Sequence, residues 1–183
     1  MNCLRITSGK YKGKSIATPG GATHPMGERE RLALFNMISS CLDGAMVLDA
    51  YAGSGALGIE ALSRGAKMAV FVDNSSKAVA TIHRNLKEVG VKEGGIDDVV
   101  DGSPVAQIIK GKVADYHNRA MFDIVLADPP YDNFYLSEVE ELVQLMSNGG
   151  ILVLSHPGEA PTIKGLTLLK TRHYARANIT IYH

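Results

Sequence analysis

Met46-Val47-Leu48-Asp49-Ala50-Tyr51-Ala52-Gly53-Ser54-Gly55-Ala56-Leu57-Gly58 reads as a buried strand, a glycine-rich turn and the first turn of a helix. The helix runs from Gly55 to Arg64 and Gly65 closes it. The same alternation continues downstream. Met68 to Val72 is a second buried strand, and Ser75 or Ser76 caps a helix that runs through Val89 and ends at Gly90. Asp98-Val99-Val100 reads as a short third strand, and Pro104 as the opening of another helix. Phe122 to Ala127 is the fourth strand, Leu136 to Met146 a helix, and Gly149-Gly150 leads into the strand Ile151 to Leu154. Short apolar strands separated by helices imply an α/β fold with a parallel sheet covered on both faces. The end differs: Leu166 to Lys170 and Ile179 to Tyr182 lie too close for a helix between them, which predicts an antiparallel pair at one edge.

Upstream, Leu4 to Ser8 and Ser15 to Thr18 flank the basic turn Gly9-Lys10-Tyr11-Lys12-Gly13-Lys14, the pattern of a hairpin. Pro19-Gly20-Gly21 is loop, and a helix starts near Gly27–Arg29 and runs to about Cys41 with Leu34, Ile38 and Cys41 on one face. The expected division is a basic extension over 1–42 and a catalytic domain over 43–183.

The 183 residues suit one core-bearing domain and carry no formal net charge. The charge is uneven, however. Residues 1–31 hold six basic residues against two acidic ones, a net of +4, and the remainder holds 13 basic and 17 acidic, a net of −4. The last twenty residues are again basic, with Lys164, Lys170, Arg172 and Arg176 and no acid. Local positive surface is what gripping phosphates requires. No leader-like or membrane-length apolar run is present, and Cys3 and Cys41 read as ordinary thiols in a reducing cytoplasm. The six histidines lack metal-ligand spacing, so no metal is expected.

Gly53, Gly55 and Gly58 form GxGxxG, which lets a backbone approach a ligand closely. It fits a dinucleotide as well as S-adenosylmethionine. Asp73, with Asn74 beside it, can accept hydrogen bonds from ribose hydroxyls of either. Asp49 discriminates, because a carboxylate beside the loop repels a pyrophosphate and attracts the ammonium of a methionine moiety. Ala50, Tyr51 and Ser54 complete the cofactor loop.

Asp128-Pro129-Pro130-Tyr131 follows the fourth strand and so lies at the same carboxyl edge. An amino group on a nucleobase is a poor nucleophile, because its lone pair is delocalised into the ring. The Asp128 carboxylate and the Pro129 carbonyl can hold its two N–H bonds and turn the lone pair toward a methyl donor. The prolines stiffen the loop. Tyr131 offers a ring for an extruded base to stack on.

The chain resembles the RsmD-type bacterial 16S rRNA (guanine-N2)-methyltransferases over nearly its whole length. The likeness is carried by Arg5-Ile6 with Ser8 to Lys14, by Arg29 and Arg31 before Ala33 to Asn36, by Asp49 to Ala66, by Phe71-Val72-Asp73 and by Phe122-Asp123 to Tyr131. It implies a Rossmann-like seven-stranded methyltransferase sheet, mostly parallel with an antiparallel last strand, after a small N-terminal β-hairpin/helix extension. It also implies S-adenosylmethionine as donor, S-adenosylhomocysteine as product, and a guanine in small-subunit ribosomal RNA, within an assembling subunit, as acceptor. Arg5, Lys10, Lys12, Lys14, Arg29 and Arg31 are then the RNA-facing cations, and Asp101, Gly102 and Ser103 the turn that meets the adenine. The chain departs from the family at His24-Pro25-Met26, where Arg-Pro-Thr is usual, and at Asp101-Gly102-Ser103-Pro104, where Gly-Asp-Ala is usual. It departs again at Ser155-His156-Pro157, where an acid is common, and His156 receives no role. A monomer is favoured, without a membrane partner. The competing assignments are an adenine-N6 methyltransferase of DNA or RNA, an NAD-dependent oxidoreductase using the same glycine loop, and a non-enzymatic RNA-binding factor.

Overall fold

The computed structural model describes residues 3–20, 26–99, 102–113, 116, 121–131, 136–175 and 177–183. Two short strands, β1 (Cys3–Arg5) and β2 (Ser15–Ala17), pair antiparallel as the expected hairpin. Helix α1 (Glu28–Met37) follows, and Glu30 in its first turn accepts the Gly27 N–H at 2.7 Å. A 3-10 turn (Ser39–Cys41) then bends the chain, so Cys41 is exposed rather than on the buried face with Leu34 and Ile38.

The core alternates β3 (Met46–Asp49), α2 (Ala56–Ser63), β4 (Met68–Asp73) and α3 (Ser76–Val89). Ala78, Ile82, Leu86 and Val89 recur at helical spacing along the buried side of α3. The Ser75 hydroxyl caps its start, and Gly90, with φ 79°, ends it. Next come β5 (Lys92–Glu93), β6 (Val105–Lys110), β7 (Phe122–Ala127), α4 (Leu136–Val143), β8 (Met146–His156), β9 (Leu168–His173) and β10 (Asn178–Tyr182).

Among the described residues the main sheet has eight strands, ordered β5-β6-β4-β3-β7-β8-β10-β9. All pairs from β5 to β8 are parallel, and β10 enters antiparallel between β8 and β9. The mostly parallel Rossmann-like sheet with an antiparallel end is therefore present, and the two-residue β5 adds an eighth strand. Alternate strand residues feed two cores. Val47, Phe71, Ile124 and Val153 face the side covered by the hairpin, α1, α2 and α3, whereas Leu48, Val70, Val125 and Leu154 face the other.

Three elements differ from expectation. Of the expected strand Asp98-Val99-Val100, Asp98 closes a 3-10 turn (Ile96–Asp98), Val99 is in no strand and Val100 lies outside the described residues; the segment after Pro104 is strand β6 rather than a helix. Val105, Ile108 and Ile109 supply the β-branched content of a buried parallel strand, and proline is tolerated just before a strand, where no ladder N–H is required. Helix α4 ends at Val143 instead of Met146. Met146 already pairs with Phe122, and the register then jumps to Ile124–Ile151, so Ser147 to Gly150 form an irregularity within β8. No helix among the described residues is long and apolar enough to cross a membrane.

A buried carboxylate locks the N-terminal segment onto this sheet. Glu60 on α2 is 0 % exposed. It accepts the Thr7 N–H at 2.8 Å, the Thr7 hydroxyl at 2.7 Å, the Ser8 N–H at 3.1 Å and the Arg64 Nε–H at 2.8 Å. Arg31, also 0 % exposed, stands 3.6 Å from it and donates to the Arg5 carbonyl. Removing one partner of a buried ion pair typically costs about 3–5 kcal/mol, because the other charge is stranded. Glu60→Ala is expected to lower stability by about that amount in urea unfolding at pH 7; an unchanged midpoint would show that the cluster is dispensable.

Candidate active site

The parallel strands all end on one side, and the loops after β3, β4, β6 and β7 meet there. Asp49, at the end of β3, is 1 % exposed. One of its oxygens accepts the Gly58 N–H of α2 at 2.9 Å; the other is buried without a partner. Burial pushes its carboxyl up to about 7, against the Gly58 bond, and the negative Asp128 and Asp73 add to the rise.

The turn between β3 and α2 depends on glycine at two points. Gly55 has φ 76°, where a side chain would be strained. A Cβ on Gly58 would lie 2.3 Å from the Phe71 ring, so only glycine lets α2 approach β4 this closely. Asp73 at the end of β4 accepts the Gly53 N–H at 2.8 Å and the Ser75 N–H at 2.8 Å. Both oxygens retain lone pairs for a ligand. Asn74 beside it is exposed, Ala50 is buried, and the Ser54 carbonyl accepts from Asn85 of α3 at 2.8 Å. The Tyr51 hydroxyl donates to Glu138 of α4 at 3.0 Å, and burial with that carboxylate raises its phenol.

Asp128 follows β7 at the same edge. Burial raises its carboxyl to about 6, hydrogen bonds with Ser155 and Tyr131 oppose the rise, and the charge of Glu30 on α1 adds to it. The Tyr131 and Ser155 hydroxyls are 2.6 Å apart. Pro129 is buried and Pro130 exposed. Ser155 and Glu138 were not singled out as site residues in the sequence. Ser155 could have been, since it directly follows the apolar run Ile151 to Leu154 of β8, the strand parallel to β7. Neighbouring His156 is buried, bonds Thr180 at 2.8 Å, and has its imidazole lowered by burial.

Other residues read from the sequence fall elsewhere. Gly102 and Ser103 precede β6, at the amino edge of the sheet, opposite Asp49 and Asp128. Ser103 lines a cavity of about 240 Å³ with Lys10, Tyr11, Lys92 and Asp98. Because β6 itself is the third strand, the turn that follows it is Gly111-Lys112-Val113, whose Gly111 N–H reaches the Asp73 carbonyl at 3.1 Å. Asp101, His24, Pro25 and Arg176 lie outside the described residues. Arg31 is not an RNA-facing cation; it is sealed inside against Glu60. Arg5, Lys10, Lys12, Lys14 and Arg29 are exposed. The Lys14 ammonium also donates to the Val89 carbonyl at 3.0 Å, and that of Lys10 lies 5.7 Å from the centroid of the Tyr11 ring.

The chain matches the family model described as Conserved hypothetical protein 95 over residues 4–183. The chain belongs to this family, the RsmD methyltransferase family. It is 31% identical to YlbH of Bacillus subtilis, named provisionally as an rRNA methyltransferase, over 98% of both chains. It is also 31% identical to ribosomal RNA small subunit methyltransferase D of Escherichia coli K12, over 81% of this chain and 69% of that one. A hypothetical protein of Thermus thermophilus superimposes with a TM-score of 0.77 at 27% identity, covering 97% and 98% of the two chains. The Escherichia coli protein yhhF shares the fold with a TM-score of 0.82 at 24% identity, over 99% and 97%.

The edge suits S-adenosylmethionine. The unpartnered oxygen of Asp49 is a buried acceptor that an ammonium would satisfy, beside a turn whose Gly53 and Gly55 adopt positive φ. Only the ionised carboxylate can hold that ammonium. Affinity for S-adenosylhomocysteine is therefore expected to fall by at most about tenfold per pH unit below about 7. Asp49→Asn should weaken binding about 10–100-fold and flatten that dependence. Calorimetry between acid and alkaline pH reads both, and a pH-independent wild-type affinity would contradict the role.

Proposed function

We propose that the chain transfers the methyl group of S-adenosylmethionine to the exocyclic N2 of a guanine in small-subunit ribosomal RNA, releasing S-adenosylhomocysteine. What carries this is the joint presence, at one sheet edge, of Asp128-Pro129-Pro130-Tyr131 braced by Ser155 and of Asp49 with its open buried oxygen. The relatives' rRNA names supply the substrate class.

S-adenosylmethionine, when bound, presents an electrophilic methyl on a sulfonium. Asp128 and the Pro129 carbonyl hold the two N–H bonds of the base amine and aim its lone pair. As the N–C bond forms and the S–C bond breaks, positive charge grows on the nitrogen, and the nearby Asp128 carboxylate stabilises it. The nitrogen then gives up one proton, which Asp128 can accept. Tyr131, steadied by Ser155, offers the stacking face. Asp73 takes the ribose hydroxyls, and the Gly111-Lys112-Val113 turn borders the adenine end. Residues 1–42 act as a basic extension to the 43–183 methyltransferase domain, with Arg5, Lys10, Lys12 and Arg29 toward RNA.

Asp128→Ala is expected to lower methyl transfer by at least about 10²-fold while leaving S-adenosylhomocysteine affinity near wild type. The wild-type rate should rise with pH through about 6, where Asp128 loses its proton, and then level. Radiolabelled transfer to naked rRNA, isolated small subunits and DNA tests the substrate. Transfer to DNA alone would overturn the reading.

A further inference from the structure

The basic residues of the N-terminal hairpin and those of β9 lie at different places on the sheet. Lys10 and Lys14 sit at the amino edge: the Lys10 N–H bonds the carbonyl of Ser63, the last residue of α2, and Lys14 reaches the last turn of α3. Six-residue strands at about 3.3 Å per residue put that edge roughly 20 Å from the base pocket. The hairpin tip therefore cannot hold the nucleotides that flank the target base.

The strand register shows what can. Ala127 pairs with Leu154, so Asp128 and Ser155 stand side by side one step further on. Ser155 pairs with Ile179, and Ile179 with Arg172. Asp128, Ser155, Ile179 and Arg172 thus form a row across the carboxyl edge. At about 4.8 Å per strand, the Arg172 backbone lies roughly 15 Å from Asp128, and its long side chain shortens the gap. Lys170 pairs with Ile181 and lies on the same face. Ile179 and Ile181 belong to the core covered by the hairpin and the first three helices, so both cations border the side that carries α1 and its exposed Arg29. Both are exposed, and no acidic residue occurs in the sequence after Glu159. The half-buried Tyr174, just past the end of β9, packs against that core; the charges of Arg172 and of Glu30 both bear on it, and Glu30 also bears on Asp128 and Tyr131.

We propose that the face of β9 bearing Lys170 and Arg172 is a docking surface for the phosphates next to the methylated base, separate from the hairpin tip. It rests on the rRNA reading above. The strand lies at the end of the sheet, paired on one side by β10 and by no other described strand. A rim of fixed cations beside a base pocket fits the backbone of a strand from which one base has been turned out.

The test is the double variant K170E/R172E, with K170A/R172A as the milder form. Both sites are exposed, so the fold should survive, and S-adenosylhomocysteine affinity within about twofold of wild type checks this. The RNA KM is expected to rise at least about tenfold in the charge-reversed form, by more than kcat falls. For the alanine form, the slope of log K against log salt should shrink by about 1 to 2, the loss of two phosphate contacts. Wild-type RNA KM and salt slope in a folded variant would overturn the proposal. So would self-association of the variant with unchanged RNA KM, which would mean that the cations only guard an open strand edge. If the wild type methylates no ribosomal RNA, the functional reading fails and takes this proposal with it; if it does and the variants match it, this proposal alone fails.

Discussion

Glu60 is a carboxylate with no access to water, and the chain around it is arranged to supply its donors. Thr7 and Ser8 reach it from the hairpin and Arg64 from its own helix, and Arg31 of α1 faces it as a buried counter-charge. These contacts tie the N-terminal elements to α2, the helix that opens at the cofactor turn. Asn85 adds a second tie: it bonds both backbone groups of Ala17 at 2.9 Å and the Ser54 carbonyl at 2.8 Å, joining β2 to that turn. Because these groups are buried, a partly made network would be costly, and the hairpin has one position against the sheet. That position sends its lysines to the amino edge and leaves α1 near the base pocket.

At the carboxyl edge two carboxylates largely withdrawn from water are left to perform different tasks. Burial raises both, Asp49 to about 7 and Asp128 to about 6. Asp49 has one backbone N–H and an open oxygen, a gap in hydrogen bonding that a cation fills. Asp128 has two hydroxyl partners and borders the rim, which suits a group that must meet a base amine. Both folded values lie above the ordinary carboxylate value. The stability each contributes through its bound proton is therefore complete below about pH 4 and is lost as pH rises through about 6 for Asp128 and about 7 for Asp49. A bound ammonium offsets that loss at Asp49, so the site trades some stability of the free protein for affinity.

The alternation of β3, α2, β4, α3 and β7 was legible because each strand holds an uninterrupted apolar run and each helix has a glycine or serine at its boundary. Asp128 was legible because it follows such a strand. The stretch 98–110 was not, since Pro104 marks a helix start and a strand start equally well, and only the pairing with β4 decides. Taking Asp98 to Val100 as the third strand assigns the turn after it to Gly102 and Ser103, at the amino edge, whereas the turn that follows the actual strand is Gly111-Lys112-Val113. Arg31 was illegible for a related reason: a charge in a basic segment looks solvated until a buried Glu60, far along the chain, is seen to face it. Ser155 and Arg172 depend on pairings across four strands, which no local pattern records.

Methylation of guanine N2 in small-subunit rRNA at this edge has a direct readout in cells. It is mass-spectrometric mapping of modified nucleosides in that RNA from cells lacking the gene. The expected result is the loss of one N2-methylguanosine, restored by the wild-type chain and not by Asp128→Ala. An unchanged set of N2-methylguanosines, or the loss of an N6-methyladenosine instead, would contradict the assignment.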